Sequence, residues 1–136
     1  MQPVPQGNYL AAKRHGNLIF TSGMTPRENG ALLFSGPVRA DEPLDIYREA
    51  VVLSARNALS AARAQLAEGE AIGSILSLTV YVAAAPDFTA HSRIADFASA
   101  FLVSELGPEG IGCRAAVGVA TLPGNAPVEV QLVAAV

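Results

Sequence analysis

Residues 112–136 read GCRAAVGVATLPGNAPVEVQLVAAV, and their pattern decides the class of fold. Two runs of small and β-branched residues, Cys113 to about Thr121 and Pro127 to Val136, flank the turn formers Pro123, Gly124 and Asn125. The segment reads as two strands joined by a turn, a hydrophobic hairpin. In the second run Val128, Val130 and Leu132 share one face, and Glu129, Gln131 and Val133 share the other. Arg114 and Glu129 each stand alone among apolar neighbours, although breaking such a charge pair once buried costs roughly 3–5 kcal/mol. These two residues are the first candidates for function.

Upstream of the hairpin, SILSLTVYVAA at 74–84 alternates, with Leu76, Leu78, Val80 and Val82 on one face and Ser77, Thr79 and Tyr81 on the other. Two helices flank this strand in sequence. The first starts near Asp41 as cap and Pro43 in the first turn, carries Ile46, Ala50, Leu53, Ala58, Leu59 and Leu66 near a 3.6-residue period, and ends near Gly69. The second begins near Pro86-Asp87, with Ile94, Phe97 and Phe101 as its core stripe together with Phe88 and Leu102, and stops at Gly107-Pro108. At the N-terminal end, LAAKRHGNLIFTS at 10–22 reads as a hairpin turning at His15-Gly16-Asn17, and one short strand is expected around Ala31 to Phe34. The order β-β-β-α-β-α-β-β describes an α+β domain over residues 1–136, with a mixed sheet and two helices on one of its faces.

Composition narrows the function classes. Charged residues make up 15% of the chain and the mean hydropathy is +0.34, against about 25% charged in an average soluble domain. Part of the surface is therefore expected to be covered by another subunit. No uninterrupted apolar run approaches the roughly 18 residues of a membrane span, and the N-terminal MQPVPQGNYL does not read as an export signal, so a cytoplasmic protein without membrane contact is expected. The net charge of −3 and scattered basic residues argue against nucleic acid as a partner. One cysteine, Cys113, excludes an internal disulfide and a structural zinc cluster, and His15 and His91 read as solvated surface groups, so no metal site is expected.

No nucleophile elbow, phosphate-binding glycine loop or zinc-protease motif occurs in the chain. Arg114 has the chemistry of a carboxylate receptor, because a planar guanidinium donates two parallel hydrogen bonds. Glu129 could position or activate a water. The pattern leaves open that the two simply pair at a sheet edge or reach solvent. Cys113 has no histidine nearby in sequence to form a thiolate and reads as a packing residue. Ser22 reads as a strand-end hydrogen-bonding group, and Gly23, directly after a strand, is a place where backbone can approach a ligand.

The stretches GNYLAAKRHGNLIFTSGMTP, LTVYVAAAPDF and RAAVGVATLPGNAPVEVQLVA resemble the reactive-intermediate deaminase family, the Rid or YjgF-type proteins, in the branch labelled chorismate-mutase-like or endoribonuclease L-PSP-like. The resemblance implies a chorismate-mutase-like fold assembled as a homotrimer, with ligand clefts between neighbouring subunits. It also implies hydrolysis of 2-imino or 2-enamino acids to 2-oxo acids and ammonia, without a cofactor. Arg114 would hold the carboxylate of the small-molecule substrate and Glu129 the attacking water, with Tyr9, Gly23 and Ala116 lining the cleft. Members of the family commonly carry serine or threonine directly after the arginine, and cysteine or threonine two residues after it. This chain has Ala115 and Ala116 there, which implies a more apolar cleft or the loss of turnover in a protein that only binds small carboxylates; Ser92 falls where some members place an asparagine, and Gln131 where many place a second glutamate.

Overall fold

The computed structural model describes residues 2–136. Its strands are β1 (Ala12–His15), β2 (Leu18–Thr21), β3 (Arg27–Glu28), β4 (Ala31–Leu32), β5 (Ser74–Ala83), β6 (Cys113–Val119) and β7 (Val128–Ala135). Its helices are α1 (Arg48–Arg63) and α2 (His91–Leu106). Five strands form one mixed sheet in the order β1-β2-β7-β5-β6, and α1 and α2 cover one face of it. The α+β class and the two helices on a single face are as expected.

The final hairpin is not. β6 pairs in parallel with β5, from Ser77 opposite Cys113 to Ala83 opposite Val119, whereas β7 pairs antiparallel with the other edge of β5. The two runs of the C-terminal stretch therefore flank β5 and never touch as strands. Parallel pairing needs a crossover of a dozen or more residues, and the segment containing α2 supplies it. The 3-10 turn at Pro123–Asn125 then carries the chain past the end of β5, a gap of about 10 Å at two inter-strand spacings.

Three further departures have local causes. The register of β5 slips between Ile75 and Ser77, so Ile75 turns into the core and Leu76 is left exposed. The expected single strand near Ala31 is a two-residue hairpin, β3 with β4, because Asn29 and Gly30 both take positive φ and close a tight turn. Ahead of α1 the chain forms a 3-10 turn at Leu44–Tyr47, which leaves Ile46 51% exposed and buries Tyr47 instead. Asp41 does not cap this helix; it accepts a hydrogen bond from Arg39 Nε at 3.2 Å.

The core lies between the sheet and the helices. Val80 and Val82 on β5, Val128, Val130 and Leu132 on β7, Ala55, Ala58 and Leu59 on α1, and Ile94 and Leu102 on α2 are all buried. Each of the valines and leucines contributes about 1.5–3 kcal/mol by leaving water. The alanines of α1 let its backbone lie close to β7. Phe97 and Phe101 are only half-buried, and their outer faces are covered by Arg48 and Arg56, whose guanidinium carbons lie 5.0 and 5.3 Å from the ring centroids. Among the described residues no helix is long and apolar enough to cross a membrane, and no three metal-ligating side chains cluster.

Candidate functional site

β6 alternates across the sheet like any strand. Leu78, the neighbour of Arg114 on β5, belongs to the buried face, so Arg114 points toward the helices. Its guanidinium is gripped by α2: Nη1 donates to Asp96 Oδ1 at 2.7 Å and to Ser99 Oγ at 3.1 Å, and Nη2 donates to Ser92 Oγ at 2.7 Å and to the Ser92 carbonyl at 3.2 Å. Ser92, Asp96 and Ser99 are spaced i, i+4, i+7 and form one polar stripe on the helix. That stripe is legible in the sequence as the side of α2 turned away from Ile94 and Leu102, but nothing in the pattern says that it meets Arg114.

Glu129 lies on the opposite face. It alternates with the buried Val128 and Val130, and its neighbour on β5 is Tyr81, whose hydroxyl donates to Gln131 Oε1 at 3.3 Å. The Glu129 side chain is half-buried and has no hydrogen-bond or ion-pair partner among the described residues. Burial pushes its carboxyl above the usual carboxylate range. The carboxylate lies directly against the backbone of Gly23: a Cβ built on that glycine would fall 2.3 Å from Glu129 Oε2 and 2.7 Å from its Cδ. Gly23 is therefore a close-approach glycine, and what approaches it is the acid of the candidate site.

The five candidate residues thus do not converge on one cleft within one subunit. Arg114 and Ala116, two positions apart on β6, share the face under α2. Glu129 and Gly23 meet on the other side of the sheet, whereas the cavity of about 160 Å³ that Gly23 and Tyr9 line with Met24, Thr25, Arg27 and Asn57 is bounded by α1 and does not include Glu129. Tyr9 is 46% exposed, and its hydroxyl accepts from the Gln6 amide at 3.1 Å. Arg114 and Glu129 sit on strands two places apart, with a register offset of three residues. At about 4.8 Å per strand and 3.3 Å per residue their Cα atoms are roughly 14 Å apart. They form neither an ion pair nor a shared cleft within one subunit.

Other expectations are also revised. Of the two alanines after the arginine, only Ala116 lies on its side of the sheet; Ala115 is paired with Thr79 and faces away, as does Cys113. His91 is not a free surface group, because its ring packs edge-on to Phe88 at 5.2 Å, and its Nε2 lies 2.6 Å from where a Cβ on Gly118 would be. Ser22 Oγ donates to the Leu10 carbonyl at 2.6 Å, the strand-end role expected of it.

A mixed sheet under two helices, with an arginine and a glutamate on its opposite faces, defines the class as a small α+β protein. The family model described as Endoribonuclease L-PSP matches residues 1–136, and the chain belongs to that family, the Rid/YjgF proteins of the sequence resemblance. Protein TCP17 of Trypanosoma cruzi is 32% identical over 128 residues, covering 93% of this chain and 80% of that protein. The crystal structure of Atu1372 from Agrobacterium tumefaciens, a protein of unknown function, is 33% identical and superposes with a TM-score of 0.88 over 98% of this chain and 85% of that one. The YjgF gene product of E. coli, at 22% identity and a TM-score of 0.67 over 98% and 92% of the two chains, shares the fold.

Proposed function

We propose that this protein hydrolyses reactive 2-imino or 2-enamino acids to 2-oxo acids and ammonia, in clefts formed between the subunits of a homotrimer in the cytoplasm. The observation that carries this reading is Glu129, a half-buried carboxylate with no partner among the described residues, its affinity for protons raised by burial, held against the Gly23 backbone. A half-buried carboxylate kept unpaired costs stability, and such groups concentrate where a proton must be moved. An imine carbon is already electrophilic. Glu129 takes a proton from water as the oxygen attacks that carbon, and the nitrogen is protonated. Collapse of the resulting 2-amino-2-hydroxy acid then expels ammonia and leaves the 2-oxo acid.

Arg114 holds the substrate carboxylate in this scheme. Because it and Glu129 lie on opposite faces of one sheet, they can serve one substrate only if two copies meet, the α2 side of one against the open face of the other. The open face supports this: it carries Leu18 and Phe20 on β2 and Val117 on β6, all exposed, beside uncharged Ser77 and Thr79. Chemistry of this kind is tested by mixing the protein with an amino-acid oxidase and trapping the released imine with semicarbazide. The protein should lower the yield of semicarbazone, and Arg114→Ala should not. Undiminished trapping by wild-type protein, or equal performance by the variant, overturns the reading.

A second reading is a protein that binds small carboxylates without turnover. It is favoured by Ala116, whose methyl offers no polar group beside Arg114. It predicts saturable binding of 2-oxobutyrate, lost in Arg114→Ala, with no effect on imine trapping.

A further inference from the structure

Arg114 is already occupied by a carboxylate from its own subunit. A guanidinium carries five N–H donors; Asp96, Ser99 and the hydroxyl and carbonyl of Ser92 take up both terminal nitrogens, and only Nε–H has no partner among the described residues. The partners are unequal. The serine groups are neutral and hold the arginine in place without cancelling its charge. Asp96 cancels it, through a single oxygen, and the two side chains differ in burial: that of Arg114 is 22% exposed and that of Asp96 64%. The arginine is therefore the fixed member and the aspartate the one that can leave, because its carboxylate returns to water with little loss.

We propose that Asp96 is an internal competitor for the substrate carboxylate and thereby determines which acids the site accepts. This rests on the reading of Arg114 as the carboxylate receptor. An incoming carboxylate competes with Asp96 for the Nη1 N–H and must displace it, because Ser92 and Ser99 hold the other terminal donors. The displaced aspartate stays on the adjacent turn of α2, so a second negative charge on the ligand meets like-charge repulsion, whereas an uncharged side chain does not. The site consequently selects monocarboxylic imino acids with neutral side chains over dicarboxylic ones. The opposite role, in which Asp96 merely orients Arg114 for binding, predicts an effect of opposite sign when the charge is removed.

Titration calorimetry of 2-oxobutyrate and 2-oxoglutarate into wild type, Asp96→Asn, Asp96→Ser and Arg114→Ala separates these roles. Removal of the charge should tighten 2-oxobutyrate by about two- to fivefold, the range expected for a partly exposed ion pair. It should tighten 2-oxoglutarate by more, so that the preference for the monoacid shrinks. Arg114→Ala should bind neither ligand. Asp96 is exposed, and thermal melts of both variants establish that they are folded. Weaker or unchanged binding in the folded Asp96 variants overturns the proposal while leaving Arg114 as receptor. Absence of binding to wild type, or undiminished binding to Arg114→Ala, overturns the receptor reading and this proposal together.

Discussion

Replacing Gly23 by alanine should separate stability from function at the Glu129 site. The new methyl carbon would fall 2.3 Å from Glu129 Oε2, 2.7 Å from Cδ and 3.0 Å from Cγ. It is short of ordinary van der Waals contact with the oxygen by about 1 Å. No backbone atom is among these contacts, so relief requires only that the glutamate side chain swing away. A side chain held about 30° off its rotamer costs roughly 0.5–1.5 kcal/mol, which corresponds to a fall in Tm of about 2–5 °C for a chain of this size. The effect on turnover should be much larger, because a catalytic group misplaced by about 1 Å can lose on the order of 100-fold in rate. Thermal melts and the imine-trapping assay measure the two effects side by side, and NMR titration of Glu129 should show its raised pKa falling toward the ordinary range as the carboxylate moves into water. Retained turnover within a factor of about three, with wild-type stability, would show that the carboxylate does not depend on Gly23 and would refute the argument.

Two other predictions concern pH. Glu129 has its carboxyl raised by burial, so its ionised form is disfavoured in the folded state; the resulting loss of stability is absent well below the ordinary carboxylate range and sets in as pH rises through the folded pKa. Glu129→Gln should therefore raise Tm at pH 7, leave it unchanged near pH 4 and abolish imine hydrolysis; a lower Tm at pH 7 would mean the carboxylate has a stabilising partner. Glu70 behaves in the opposite way. Bidentate hydrogen bonds from Arg14 and one from the Ala67 amide hold its pKa at about 2, so its contribution is complete above about 4.5 and disappears as pH falls toward 2. Glu70→Gln should lower Tm at pH 7 and flatten its decline between pH 4.5 and 2, and parallel melting curves for variant and wild type would contradict this.

The sequence conveys periodicity better than partnership. Alternation on β7 correctly separates Val128, Val130 and Leu132 from Glu129, because the pattern of a half-buried strand is local. Which strand lies beside β7 is not local. The prolines, glycine and asparagine between Thr121 and Pro127 look the same whether the chain turns back on itself or steps over a third strand. Only the insertion of β5, paired in opposite senses with β6 and β7, decides that Arg114 and Glu129 are separated. A similar limit applies to Leu76, since a bulge shifts which residue faces the core without changing composition. The residues of the candidate site are legible from the resemblance, whereas the grip of α2 on Arg114 required the three-dimensional contact of Ser92, Asp96 and Ser99 with β6.

The contrast between the two charged residues carries a further implication. Arg114 is held by four hydrogen bonds within its own subunit, whereas Glu129 is half-buried and has no partner among the described residues. If both were structural, this fold would keep its cation satisfied and leave its anion to bear the desolvation penalty, an arrangement that substitution by glutamine would improve. Under the proposed function, the asymmetry is instead what an open active-site half requires. The arginine must stay fixed so that it presents a rigid receptor, and the glutamate must stay unpaired so that it can accept a proton from water. Each half is incomplete without the other, and they lie on opposite faces of one sheet. The shortest route to a complete site is contact between copies, and the exposed apolar side chains of Leu18, Phe20 and Val117 lie on the face that presents Glu129. In the proposed function, subunit association and catalysis make the same demand on this sheet, and a charge placed at Phe20, on the opposite face from Arg114, should disrupt both without altering either Arg114 or Glu129.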